Sequence, residues 1–121
     1  MVKKIFFVIL ITVTFFIMLP HENSPEGAYE NFCEAIETQD VEMLVLSMTG
    51  LPERETYNVA VGLILAYHES PKEEKYFEEV LEVHQNGESA TLNLEKGIRI
   101  PCKKVDDKWK IDLSFLQEYL P

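Results

Sequence analysis

Positive charge is scarce in this chain: eleven Lys and Arg stand against 21 Asp and Glu. Lys3 and Lys4 precede every acidic residue, so from His21 onward nine basic side chains face all 21 acidic ones, a net of minus twelve. Nucleic acid and anionic lipid headgroups would be repelled by such a surface, which excludes nucleic acid as a partner. Histidine is rarer still. His21, His68 and His84 have no companion at H-x-x-x-H spacing, so no metal site is expected. There are only two cysteines, one tryptophan, and no internal repeat or low-complexity tract. The 121 residues suffice for one domain of ordinary size.

Charged residues are also missing from one long stretch. "IFFVILITVTFFIML", Ile5 to Leu19, follows the two lysines and ends at Pro20 before the polar "HENSPE". A basic start, an apolar run and a polar boundary are the features of an export signal. As a helix the run would rise about 22 Å, short of a hydrocarbon core of roughly 30 Å. "FFIMLP" lacks the small residues a signal peptidase reads, and bulky "YENF" before Cys33 rules out a lipoprotein signal. Residues 1–20 are therefore expected to be a cleaved signal peptide or a retained membrane anchor, with a buried helix of a soluble protein as the plainer alternative. The lysines place residues 21–121 outside the cytoplasmic membrane, anchored or secreted.

Beyond the boundary, Ser24, Pro25 and Glu26 supply an N-cap, a first-position proline and a first-turn acid. Ala28, Tyr29, Phe32, Cys33 and Ile36 recur at helical spacing. Asp40 starts a second short helix to Met48, and "TGLPE" breaks it. A third helix is expected from Glu53 to His68. Its "NVAVGLILAY" is apolar nearly all round, so burial on more than one side is expected, with Gly62 allowing close backbone approach. The period then changes. Phe77, Leu81 and Val83 open a first strand, Asn86-Gly87 marks a hairpin, and Ala90, Leu92 and Leu94 alternate in a second strand. Ile98, Ile100 and Cys102 share a face of a third strand in which Pro101 suggests a bulge or an edge. Asp106 and Asp107 turn the chain into "KWKIDL", where Trp109, Ile111 and Leu113 face inward and Lys108, Lys110 and Asp112 outward. "SFLQEYL" closes as a helical turn capped by Ser114. Three helices on a four-stranded antiparallel meander make an α+β fold. Its core anchors are Trp109, Phe32, Tyr29 and Ile36.

"SPEGAYENFCEAIETQDVEML" resembles the opening of nuclear transport factor 2-like domains, and "NGESATLNLEKG" followed by "VDDKWKIDL" is similar to their last strands. The likeness spans roughly residues 24–113 and is strongest to exported bacterial members of the domain of unknown function 4878 type. It departs from them in lacking the lipobox cysteine and in having Asp107 where glycine is common. The resemblance implies a curved, cone-shaped (nuclear transport factor 2-like, cystatin-like) sheet covered by helices. In enzymatic relatives Asp, His and Tyr inside the cone act as general acid and base. Here Asp40 reads as a cap, Asp106 and Asp107 as turn residues and Asp112 as one of a solvated stripe. His68 suits a helix C-terminus, and Tyr29, Tyr57 and Tyr67 read as core aromatics with polar tips.

No catalytic, cofactor or metal residues are assigned. The expected role is a non-catalytic domain binding a small apolar ligand, a peptide or an envelope protein, with a small isomerase- or dehydratase-type enzyme as the alternative. A second copy of the chain across the open sheet face is a further expected partner. Export makes a Cys33–Cys102 disulfide one expectation and two separate buried thiols the other.

Overall fold

A computed structural model describes residues 23–119, so the expected signal or anchor in residues 1–20 lies outside the described residues. Helix α1 (Pro25–Thr38) begins where Ser24 Oγ accepts from the Gly27 amide at 3.0 Å, satisfying one otherwise unpaired donor. It ends at Gln39, whose left-handed backbone (φ 59°) lets its amide close back on the carbonyls of Ala35 and Ile36. Asp40 caps the short helix α2 (Val41–Leu46) through Met43 N, 3.0 Å away. Next come strand β1 (Met48–Thr49), helix α3 (Glu53–Glu69) and a 3-10 turn at Lys72–Glu74. Strands β2 (Val80–Asn86), β3 (Ser89–Leu94), β4 (Arg99–Val105) and β5 (Lys108–Asp112) follow, and a 3-10 turn at Ser114–Tyr119 closes the described chain.

The fold is α+β, but the sheet has five strands in the order β1-β5-β4-β3-β2 instead of four. Strand β1 adds in parallel to β5, Met48 opposite Ile111 and Thr49 opposite Asp112. Hydrogen bonds from Ile111 N to Ser47 O and from Leu113 N to Thr49 O, 2.8 Å each, hold it there. Two residues are too few to show an alternating pattern, which is why this strand is invisible in the sequence.

Three further expectations are corrected by local geometry. The register of β2 on β3 slips between Val80 and Glu82, a bulge that turns Leu81 outward to solvent while Val80 and Val83 pack inward. Pro101 lies in β4, an interior strand, and at no bulge: it pairs regularly with Thr91. The Lys104 amide donates toward β3, to Glu88 O, so by alternation the Pro101 nitrogen points toward β5, where pairing starts only at Cys102. No ladder donor is lost there. Ser114 does not cap the last turn; its amide donates to Asp112 Oδ1 at 3.0 Å, so Asp112 is the cap.

Helix α1 lies across the inner sheet face, and α3 packs chiefly on α1 and α2. Leu44 and Leu92 are the largest fully buried side chains, joined by Trp109 (3% exposed), Ile36, Ile111 and Leu113. Tyr29 is buried among them, whereas Phe32 sits only partly buried at the margin. The burial on more than one side expected of α3 is not seen among the described residues. Thr56, Ala60 and Ile64 face inward, while Asn58, Leu65 and Ala66 are exposed and Gly62 has no described neighbour where a Cβ would stand. His68 bridges α3 to α1, its Nε2 lying 3.0 Å from Ile36 O.

Candidate functional site

Glu26, Glu30, Glu34 and Glu37 repeat along α1 at helical spacing and so share a face of it. That face borders a cleft of about 520 Å3 between α1 and the segment entering β2. Glu78 and Glu79 stand on the opposite wall, and Tyr29, Cys33, Phe77 and Val80 complete the lining. No lysine or arginine is among these lining residues.

Several ties hold the walls in place. The Tyr29 hydroxyl donates to Glu78 O at 3.0 Å, joining α1 to the strand segment. Phe77 stacks on Tyr67 of α3 with ring centroids 5.0 Å apart and planes 9° from parallel. Glu79 N donates to Glu95 Oε1 and Lys96 N to Glu78 Oε1, 2.7 Å each, so the turn between β3 and β4 braces the entry to β2.

The chemistry of this cleft is electrostatic. Burial pushes the Cys33 thiol up to about 12, helped by Glu37 and Glu30 and opposed by the hydrogen bond with Tyr29. Burial, with Cys33 and nearby glutamates adding, also drives the Tyr29 phenol upward. A thiol held protonated near neutrality is a poor nucleophile, so Cys33 is a wall and not a reagent. Cys102 is buried in β4, its thiol likewise pushed up to about 12 by burial and by Asp112. Both cysteines are free. Cys33 turns to the cleft beside Tyr29, while Cys102 sits within the sheet between Ala90 of β3 and Ile111 of β5, and the two are separate thiols in this structure.

The side chains that would signal acid–base catalysis sit on different elements, and among the described residues no hydrogen bond joins any two of them. Asp40 caps α2; Asp112 caps the last turn; Tyr57 projects from α3 into an apolar depression with Val41, Val45 and Leu46. His84 is exposed on β2, where its Nε2 meets Glu82 at 3.0 Å. Asp106 and Asp107 both take positive φ, 52° and 65°, in the two-residue turn between β4 and β5. Among the described residues no three His, Cys, Asp or Glu converge to hold a metal ion.

The signal for the acidic face of α1 lies in "SPEGAYENFCEAIETQD", where glutamates recur beside the apolar stripe, a regularity that none of the expectations above used; the second wall, brought opposite by the sheet, has no such local signal. No family model matches the chain, and no curated protein or solved structure matches it either.

Proposed function

We propose that residues 21–121 form a non-catalytic binding module of the nuclear transport factor 2-like type, working outside the cytoplasmic membrane. In this reading the cleft between α1 and β2 receives a positively charged, partly apolar segment of an envelope protein. One observation carries it: six glutamates surround a floor of Tyr29, Cys33, Phe77 and Val80 with no basic side chain among the lining residues. Carboxylates gathered around a low-dielectric floor concentrate negative potential, and a segment alternating Lys or Arg with apolar residues would answer both parts. The cleft is open and its rim is charged, which favours a peptide over a small apolar ligand. The dispersal of Asp40, Tyr57, His84 and Asp112 speaks against the isomerase or dehydratase reading.

Calorimetric titration with short peptides of alternating Lys and Leu, Lys and Ser, or Glu and Leu tests this. The Lys/Leu peptide should bind best, and more weakly as salt is raised. The triple substitution Glu26→Gln, Glu34→Gln and Glu37→Gln should weaken it by roughly tenfold, three exposed charges at a few tenths of a kcal/mol each. Equal affinity for the triple variant, or for the Glu/Leu peptide, would refute the proposal. Export is checked by fractionating cells that make the full chain; recovery in the cytosol would contradict it.

A further inference from the structure

Among the described residues nothing requires Gly62 to be glycine. It lies in the middle of α3 without positive φ, and a Cβ there would meet nothing within 4 Å. Glycine at an exposed interior helix position costs about 1 kcal/mol relative to alanine, and no contact among the described residues recovers it. Close approach of something from outside would.

At 100° per residue, Arg54, Asn58, Val61, Gly62, Leu65 and Glu69 fall on the face of α3 opposite Thr56, Ala60 and Ile64. This outer face is solvent-accessible, Leu65 being 53% exposed, and it is flanked by the exposed apolar Leu46 of α2 and Tyr57. From Asn58 to Tyr67 it carries no Asp, Glu, Lys or Arg, in a domain whose net charge of minus twelve repels its own copies almost everywhere else. The charges lie at the two ends: Arg54 in the first turn and Glu69 in the last. They are about 22 Å apart along the helix axis and do not pair with each other. Among the described residues neither takes part in a salt bridge.

We propose that a second copy of this chain covers that face, the two α3 helices packing antiparallel about a two-fold axis midway between Val61 and Gly62. Residues whose numbers sum to 123 then oppose one another. Val61 of one copy fills the space left by Gly62 of the other, Leu65 lies against Asn58, and Arg54 faces Glu69. Each contact occurs twice by symmetry, so one arrangement uses the glycine, the apolar centre and both terminal charges. The open sheet face suits a second copy less well, because Arg99, Lys103 and Lys110 stand on it together with Glu82 and Asp112, Lys103 directly beside Lys110 in the register, and a second copy there would have to strip water from these charges.

Sedimentation equilibrium of the full chain in a non-ionic detergent, with charge-swapped variants, decides the matter. The expected wild-type behaviour is a reversible monomer–dimer equilibrium. Arg54→Glu alone and Glu69→Arg alone should each weaken it by about tenfold, since each puts like charges together at both ends. The double variant should return close to wild type. That rescue cannot arise inside one helix, because the two positions are too far apart to meet. Gly62→Ala should raise the thermal midpoint of folding while weakening the dimer, and Gly62→Leu should abolish the dimer. A chain that stays monomeric throughout, its α3 covered by lipid or by residues 5–19, would overturn the proposal. So would single reversals without effect, a double variant that fails to recover, or a dimer broken by Lys103→Glu with Lys110→Glu.

Discussion

Gly50→Ala is expected to be among the most damaging small substitutions in the domain. Gly50 joins β1 to the approach of α3 with φ at +97°, a conformation that L side chains rarely adopt. Holding alanine there costs about 1–3 kcal/mol. The added methyl would also stand 2.6 Å from the backbone nitrogen of Ser114 and 2.6 Å from Asp112 Oδ1. Those two atoms form the hydrogen bond that caps the last turn, so making room sacrifices about 1 kcal/mol of hydrogen bonding on top of the overlap. The combined loss is about 3–5 kcal/mol, against a total stability of roughly 5–15 kcal/mol for a domain of this size. A midpoint shift of about 15 °C or more should follow, at roughly 4–8 °C per kcal/mol. Gly87→Ala is the matched control, because Gly87 also has positive φ (63°) but open space around its Cβ position. It isolates backbone strain, and its cost should stay near 1 kcal/mol. Thermal unfolding followed by circular dichroism reads both. Equal shifts for the two variants would show that the close packing of Gly50 against Asp112 and Ser114 contributes nothing, and the placement of β1 against β5 would have to be abandoned.

Trp109→Ala should cost about 3–5 kcal/mol in urea denaturation, because the ring is 3% exposed on the inner face of β5; an unchanged midpoint would contradict its inward orientation. Alkaline titration should show stability falling above about pH 9. Cys33 and Cys102 ionise near 9 when unfolded but only near 12 when folded, so the unfolded state holds fewer protons across that window and gains on the native one. Replacing both by alanine should flatten the decline, leaving what Tyr29 contributes. Tyr29→Phe should remove about 1 kcal/mol by deleting the donor to Glu78 O, and amide exchange should quicken at residues 78–80 more than in β4. Asp107→Gly should stabilise by about 0.5–1 kcal/mol, because it relieves a side chain held at φ 65°; a loss of stability would mean that the carboxylate makes a compensating contact.

Local signals were legible wherever one residue type forces one conformation. Ser24 and Asp40 start helices because their side chains accept from amides three residues on. Gly87 and Asp106-Asp107 turn the chain between strands because those residues tolerate positive φ, although Asn86 stays in β2 opposite Ser89 and the first hairpin turns at Gly87-Glu88. Leu92, Trp109 and Ile111 face inward because a half-buried strand alternates. The failures share a cause too. Leu81 followed the alternation on paper and broke it in space, since a bulge adds a residue that period alone cannot reveal. Helix α3 looked apolar nearly all round, yet among the described residues only the side reached by α1 and α2 is covered. The role of Asp112 as a cap depends on Ser114 folding back beside it.

The amino-acid order by itself thus determined the α+β class, the caps at Ser24 and Asp40, and the turns near Gly87 and at Asp106-Asp107, all of which rest on interactions within a few positions of the chain. Tertiary structure alone decided that Met48 and Thr49 would become a fifth strand, that Glu78 and Glu79 would face the glutamates of α1 across a cleft, and that Gly62 would stand uncovered. Those outcomes are set by surfaces distant in sequence meeting in space, and no local period encodes which surfaces meet.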